Sequence, residues 1–226
     1  MHSLQKRMCW FLSLALNSPV IVNVKVLYTP STLSCDPGVQ NVKDKINKDC
    51  GKSHALPAII VRPGPGSGSE ALLCVQDLVF PSIIGRSGRA ILKREGDGST
   101  PLGTMRMVNG FYRADRLRIP QTNLPMVPIR RDMGWCDAPA HASYNHLVRL
   151  PFAASHERMY RADRLYDVCI VLDWNVAERR RNRGSAIFWH LTHETRRPTE
   201  GCIAIEPAAM LRLLPLLQPG MAVCVV

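Results

Sequence analysis

Cys202 follows Thr199-Glu200-Gly201 and stands twelve residues after His190, which closes the apolar run Ala186-Ile187-Phe188-Trp189. A thiol attacks a carbonyl as its thiolate, and a nearby imidazole is the usual means of raising the thiolate fraction. Gly201 lets the chain turn tightly and leaves amide N–H groups free to receive an oxyanion. Nucleophile, base and oxyanion turn together point to cysteine acyl transfer. His193 is a rival base, but in a strand side chains three residues apart face opposite ways, so only one of the two meets Cys202. The run His190-Leu191-Thr192-His193-Glu194 lacks the His-Glu-x-x-His order of a zinc helix, so neither metal nor cofactor is expected.

The other cysteines stand at 9, 35, 50, 74, 136, 169 and 224, with no Cys-x-x-Cys spacing. Cys74, Cys169 and Cys224 lie in apolar runs and read as small buried hydrophobes rather than as a disulfide framework.

Strands must position this chemistry. Short apolar, β-rich runs at 71–76, 79–85, 166–172 and 185–191, with an extended stretch at 104–108, have the flanks of buried or paired strands. One helix is expected from Pro207, with Met210, Leu213, Leu214 and Leu217 at helical spacing, shortened or kinked by Pro215. Pro219-Gly220 then turns into a closing strand at 221–226. The fold class is mainly β. His156 and the Tyr144-Asn145 pair interrupt apolar segments and read as packed loop residues or as the lining of a groove.

A change in basic residue divides the chain. Residues 1–58 hold six of the seven lysines and only Arg7, whereas residues 59–226 hold Lys93 and twenty-one arginines. The expectation is an atypical N-terminal extension, 1–58, poorly ordered or a weak export leader around Met8–Leu16, followed by one domain, 59–226. The net charge of +11 favours anionic partners. Nucleic acid is not expected, because the dense cluster Arg179-Arg180-Arg181-Asn182-Arg183 has no interleaved stacking aromatics. The hexapeptide Tyr-Arg-Ala-Asp-Arg-Leu occurs at 112–117 and again at 160–165, as two similar turns or as two arms of one anion-binding groove.

Two separated motifs carry a family resemblance. Gly85-Arg86-Ser87-Gly88 with Lys93-Arg94-Glu95-Gly96-Asp97-Gly98-Ser99-Thr100-Pro101-Leu102-Gly103 resembles the Lys-x-x-Gly-Asp-Gly-x-Thr-Pro-x-Gly segment of the L,D-transpeptidase (YkuD-type) catalytic domain. His190 followed by Thr199-Glu200-Gly201-Cys202 resembles that family's His…(Ser/Thr)-x-Gly-Cys signature. The resemblance covers 59–226 and implies a β-sandwich of mixed strands with a few short helices. It also implies the reaction: the cysteine takes the acyl group of an L-centred residue, diaminopimelate, in a peptidoglycan stem peptide. D-Alanine leaves, and an acceptor amine receives the acyl group. On that mapping Cys202 is the nucleophile, His190 its base and Gly201 an oxyanion donor, with Thr199, Glu200, Arg197 and Arg183 toward substrate.

The chain departs from the pattern where Glu200 replaces histidine, Ala204 replaces an arginine, and Leu191 follows the histidine. Arg196 or Arg197 is expected to neutralise Glu200, and a backbone carbonyl to orient His190. The implied partner is a peptidoglycan stem peptide met by a monomer, which implies the periplasm or cell envelope; a weak leader leaves the cytoplasm open. Two other readings stay open: a carboxypeptidase or endopeptidase on the same cysteine, and an inactive cell-wall-binding module.

Overall fold

The computed structural model describes residues 58–226. Residues 1–57, and with them the expected extension and leader, lie outside the described residues. The described chain is mainly β, as its run of short apolar segments implies. Its early strands are β1 (Ile59–Pro63), β2 (Glu70–Val75), β3 (Leu78–Ile83), β4 (Arg89–Ala90), β5 (Thr100–Pro101), β6 (Gly103–Tyr112) and β7 (Met126–Pro128). Then come β8 (Met133–Cys136), β9 (Leu147–Arg149), β10 (His156–Arg158), β11 (Val168–Leu172), β12 (Phe188–Leu191), β13 (Ile203–Ile205) and β14 (Ala222–Val225).

The principal sheet runs β11-β12-β13-β3-β2-β1-β14-β6-β7 and closes through a further β11–β6 pairing. Opposite halves therefore face each other across one core. Pairing is mixed: β12 with β13, β1 with β14 and β6 with β7 are parallel, the rest of this sheet antiparallel. Closure pairs β11 with β6 and leaves short β7 as an edge strand of this sheet. The core holds Leu73, Met107, Ile170, Trp189, Ile203 and Val223 in contact with residues of the helix.

That helix, α1 (Pro207–Leu213), starts with Pro207 in its first turn and buries Met210 and Leu213. Pro215 cannot supply the next helical amide hydrogen bond, and the chain tightens into a 3-10 turn at Leu214–Leu216 before β14. A second, three-stranded sheet, β10-β8-β9, brings Met133, Trp135 and Met159 against Phe188 and Cys202 in a separate apolar cluster. The two faces of β12 and β13 thus pack against different partners.

The duplicated hexapeptides interlock. The Arg113 guanidinium lies 3.6 Å from the Tyr160 ring centre, and the Tyr160 hydroxyl donates to Asp115 at 2.9 Å. Arg113 also donates to the Arg161 carbonyl, while Arg116 reaches the Ala162 carbonyl and pairs with Asp167. Residues of both copies, Arg116 and Asp163 among them, line one cavity of about 490 Å³ with Leu191, His193 and Met210. It lies on the side of the sheet where α1 packs. The two copies are therefore arms of one structure and not merely similar turns.

Candidate active site

Cys202 is placed by a turn that its own neighbours hold. The Thr199 hydroxyl donates to the Cys202 carbonyl at 2.6 Å and accepts the Gly201 amide at 3.2 Å. Gly201 has φ +134°, and a Cβ there would lie 2.8 Å from the Ser99 carbonyl oxygen. Only glycine fits both the backbone and the space. The Gly201 amide is engaged by Thr199, whereas the Cys202 amide has no acceptor among the described residues. Thr199 is accordingly spent in the turn, rather than offered to substrate.

The first motif is the platform beneath that turn. Lys93 is buried and pairs with Asp97 at 2.5 Å while donating to the Arg94 carbonyl. Asp97 also accepts the amides of Arg94 at 2.7 Å and Ser99 at 2.8 Å. Burial alone would raise the Asp97 pKa, but the Lys93 ammonium and these amides hold it down at about 2. The loop so fixed presents the Ser99 carbonyl to Gly201, and the Thr100 hydroxyl accepts the Gly85 amide at 2.9 Å. Gly85 in turn bridges to Thr199. A Cβ on Gly85 would sit 2.3 Å from the Gly98 carbonyl oxygen, so the two halves of the first motif approach as closely as backbones can.

His190 and Cys202 share a face by register. Trp189 pairs with Ile203 and His190 with Ala204, so alternation puts Phe188, His190, Cys202 and Ala204 on one side of the sheet. His190 Nδ1 lies 2.8 Å from the Leu191 carbonyl oxygen, which fixes a proton on Nδ1 and leaves Nε2 as the basic nitrogen. The expected backbone carbonyl is thus in place. Burial pushes the imidazole down to about 4, against that carbonyl, so it is neutral at pH 7.

The Cys202 thiol is 9% exposed and donates to the Ala186 carbonyl at 3.1 Å. The Phe188 amide donates to its sulfur at 3.4 Å. Burial pushes the thiol up to about 12, against the lowering effect of that amide. At rest the site is a neutral thiol beside a neutral imidazole. No hydrogen bond joins them among the described residues; catalytic contacts of this kind often tighten only when substrate binds.

The surroundings are aromatic. The Tyr166 ring stands edge-on to His190 at 5.2 Å and to Phe188 at 5.9 Å, and Trp135 stands edge-on to Phe188 at 5.1 Å. Trp189 faces the main core instead and does not wall the site. Arg161 pairs with Glu157 at 2.6 Å and lies over the Tyr166 ring. Burial raises the Glu157 pKa, against Arg161 and a hydrogen bond from Tyr166.

Glu157 is also the carboxylate whose charge opposes the thiolate. That role was expected of Glu200, but Glu200 points outward and meets Arg86 at 2.9 Å. The expected neutralisers do not reach it: Arg196 pairs with Glu206, and the exposed Arg197 has no side-chain partner among the described residues. Arg183 is exposed and lines a groove of about 390 Å³ with Lys93 and Trp174. His193 bonds Thr195 beyond the end of β12 and lines the cavity on the opposite side of the sheet, so it is no rival base. His156 opens strand β10 opposite Cys136 instead of lying in a loop, with its Nδ1 2.8 Å from the Ala154 carbonyl oxygen.

Among the described residues no cluster of histidine, cysteine and carboxylates could hold a metal, and Cys74, Cys136, Cys169, Cys202 and Cys224 are all free thiols. The family model of the YkuD L,D-transpeptidase catalytic domain matches residues 75–226. The chain belongs to the L,D-transpeptidase family. No curated protein and no solved structure matches it. In this L,D-transpeptidase domain the match spans both motifs, the platform and the turn that carries Cys202.

Proposed function

We propose that the protein is a peptidoglycan L,D-transpeptidase, in which Cys202 is the nucleophile and His190 its base. The observation that carries the reading is the pairing, on one sheet face, of a thiol set on a glycine turn with an imidazole whose basic nitrogen is defined by the Leu191 carbonyl. Substrate carbonyl carbon meets sulfur as His190 Nε2 takes the thiol proton. The buried surroundings disfavour a free thiolate–imidazolium pair, so proton loss accompanies C–S bond formation.

The oxyanion is received by the Cys202 amide, and removal of one such donor typically costs on the order of a hundredfold or more in rate. The imidazolium returns the proton to the departing D-alanine amine, leaving a thioester at the L-centre of a diaminopimelate residue. An acceptor amine from a neighbouring stem then attacks the thioester, with His190 again taking the proton. Splitting one amide exchange into two steps is what the nucleophile contributes. The site of action on this reading is the cell envelope. Incubation with a tetrapeptide-bearing muropeptide tests it: cross-linked dimer with free D-alanine is the expected product, and free tripeptide alone would make the protein a hydrolase.

A further inference from the structure

Asn145 lies outside every motif that the reaction uses, yet it is 1% exposed and its side chain makes three hydrogen bonds. Its Oδ1 accepts the Trp135 indole N–H and the Ala186 amide, each at 3.0 Å. Its Nδ2 donates to the Trp174 carbonyl at 3.0 Å. Two donors on one atom and an acceptor on the other leave only one orientation of the amide consistent with the bonding.

These bonds converge on the nucleophile from two sides. Ala186 has φ +51°, a left-handed conformation that a residue with a Cβ adopts only when its surroundings impose it. Its amide is held by Asn145, and its carbonyl oxygen is the acceptor of the Cys202 thiol. On the other side, Trp135 packs edge-on against Phe188, whose amide donates to the Cys202 sulfur. One amide oxygen therefore holds Ala186 directly and the Phe188 side indirectly, through the Trp135 ring that packs on it.

We infer that Asn145 is the positioning residue of the nucleophile: through Ala186 and Trp135 it sets where the Cys202 sulfur rests and which atom its proton faces. The inference rests on the assignment of Cys202 as nucleophile. A hydrogen bond from the thiol to a carbonyl favours the protonated form, so loosening Ala186 releases the proton more easily while leaving the sulfur less well aimed.

The test uses the full chain and two readouts: the pH dependence of iodoacetamide alkylation at Cys202, followed by the mass of the Cys202 peptide, and the rate of acylation by a carbapenem. In Asn145→Ala, still folded by near-ultraviolet circular dichroism, the alkylation midpoint falls by about one pH unit and acylation slows at least tenfold. A folded Asn145→Ala with a lower Tm but an unchanged midpoint and acylation rate would make Asn145 a purely structural residue. Asn145→Asp keeps the oxygen that faces Ala186 and Trp135, so it restores acylation to within about fivefold of the parent. It decides the matter if the alanine variant does not fold, since a folded aspartate variant that has lost acylation overturns the inference. Wild-type protein that the carbapenem never acylates would instead count against Cys202 itself, and so against the proposed function.

Discussion

The two faces of β12 and β13 are built from alternate residues of the same seven positions, and they do different things. Trp189, Leu191, Ile203 and Ile205 point into the closed core and join the apolar cluster that includes Met210 and Leu213 of α1. Phe188, His190 and Ala204 share the other face with Cys202, under Trp135, Met159 and Tyr166. One face contributes stability through burial. The other holds two titratable groups out of water at some cost, and both are pushed toward their neutral forms. A parallel pair buried on both sides lets the stable face hold the reactive face in register.

The sharpest way to break this contrast is at His190. His190→Gln should lower acylation by about 10²–10⁴-fold with the fold retained, measured as kcat/KM alongside circular dichroism. A drop below tenfold would mean that another base serves Cys202. On the opposite face, Leu213→Ala should cost about 2–5 kcal/mol in denaturant unfolding. Its rate per folded molecule should stay near that of the parent; a large loss of rate would show that the faces are not separable.

Acid should expose the reactive face as a source of instability. His190 is held neutral down to about pH 4, whereas an unfolded histidine takes up a proton near 6.5. Between those values the unfolded chain binds more protons than the native one. Stability therefore falls as pH drops from 6.5 to 4, by at most about 3 kcal/mol from this group. The Asp97 carboxylate acts lower, its contribution being lost as pH falls through about 2. Urea unfolding at pH 7 and pH 4 checks the histidine part, and the same pair of measurements on His190→Gln should show a smaller difference. The smallest effect is expected at the surface: Arg86→Ala removes an exposed pair with Glu200 and should change stability by no more than about 1 kcal/mol.

Much of this was legible in the chain. The strands β2, β3, β6, β11, β12 and β14 all fall on apolar runs or an extended stretch visible in sequence, and the helix ends where Pro215 forbids its continuation. His190 and Cys202 were legible because nucleophile, base and glycine turn are close in sequence and belong to a family signature. The supporting contacts were not, because they are distant. Arg86 reaches Glu200 across 114 residues, and Asn145 reaches Ala186 across 41. Strands β8, β9 and β10 were not legible because three or four residues are too few to show a periodicity. Asn145 had one usable signal, a polar pair between apolar segments, which pointed to packing or to a groove without choosing.

The central claim is that Cys202 forms a thioester with an L-centred stem-peptide residue. Intact mass and peptide mapping after brief exposure to a tetrapeptide-bearing muropeptide measure this directly. The account predicts one acyl group, lacking D-alanine, on the peptide that contains Cys202, and none in Cys202→Ala. Folded protein with no adduct, or with its adduct on Cys169 or another cysteine, would contradict it.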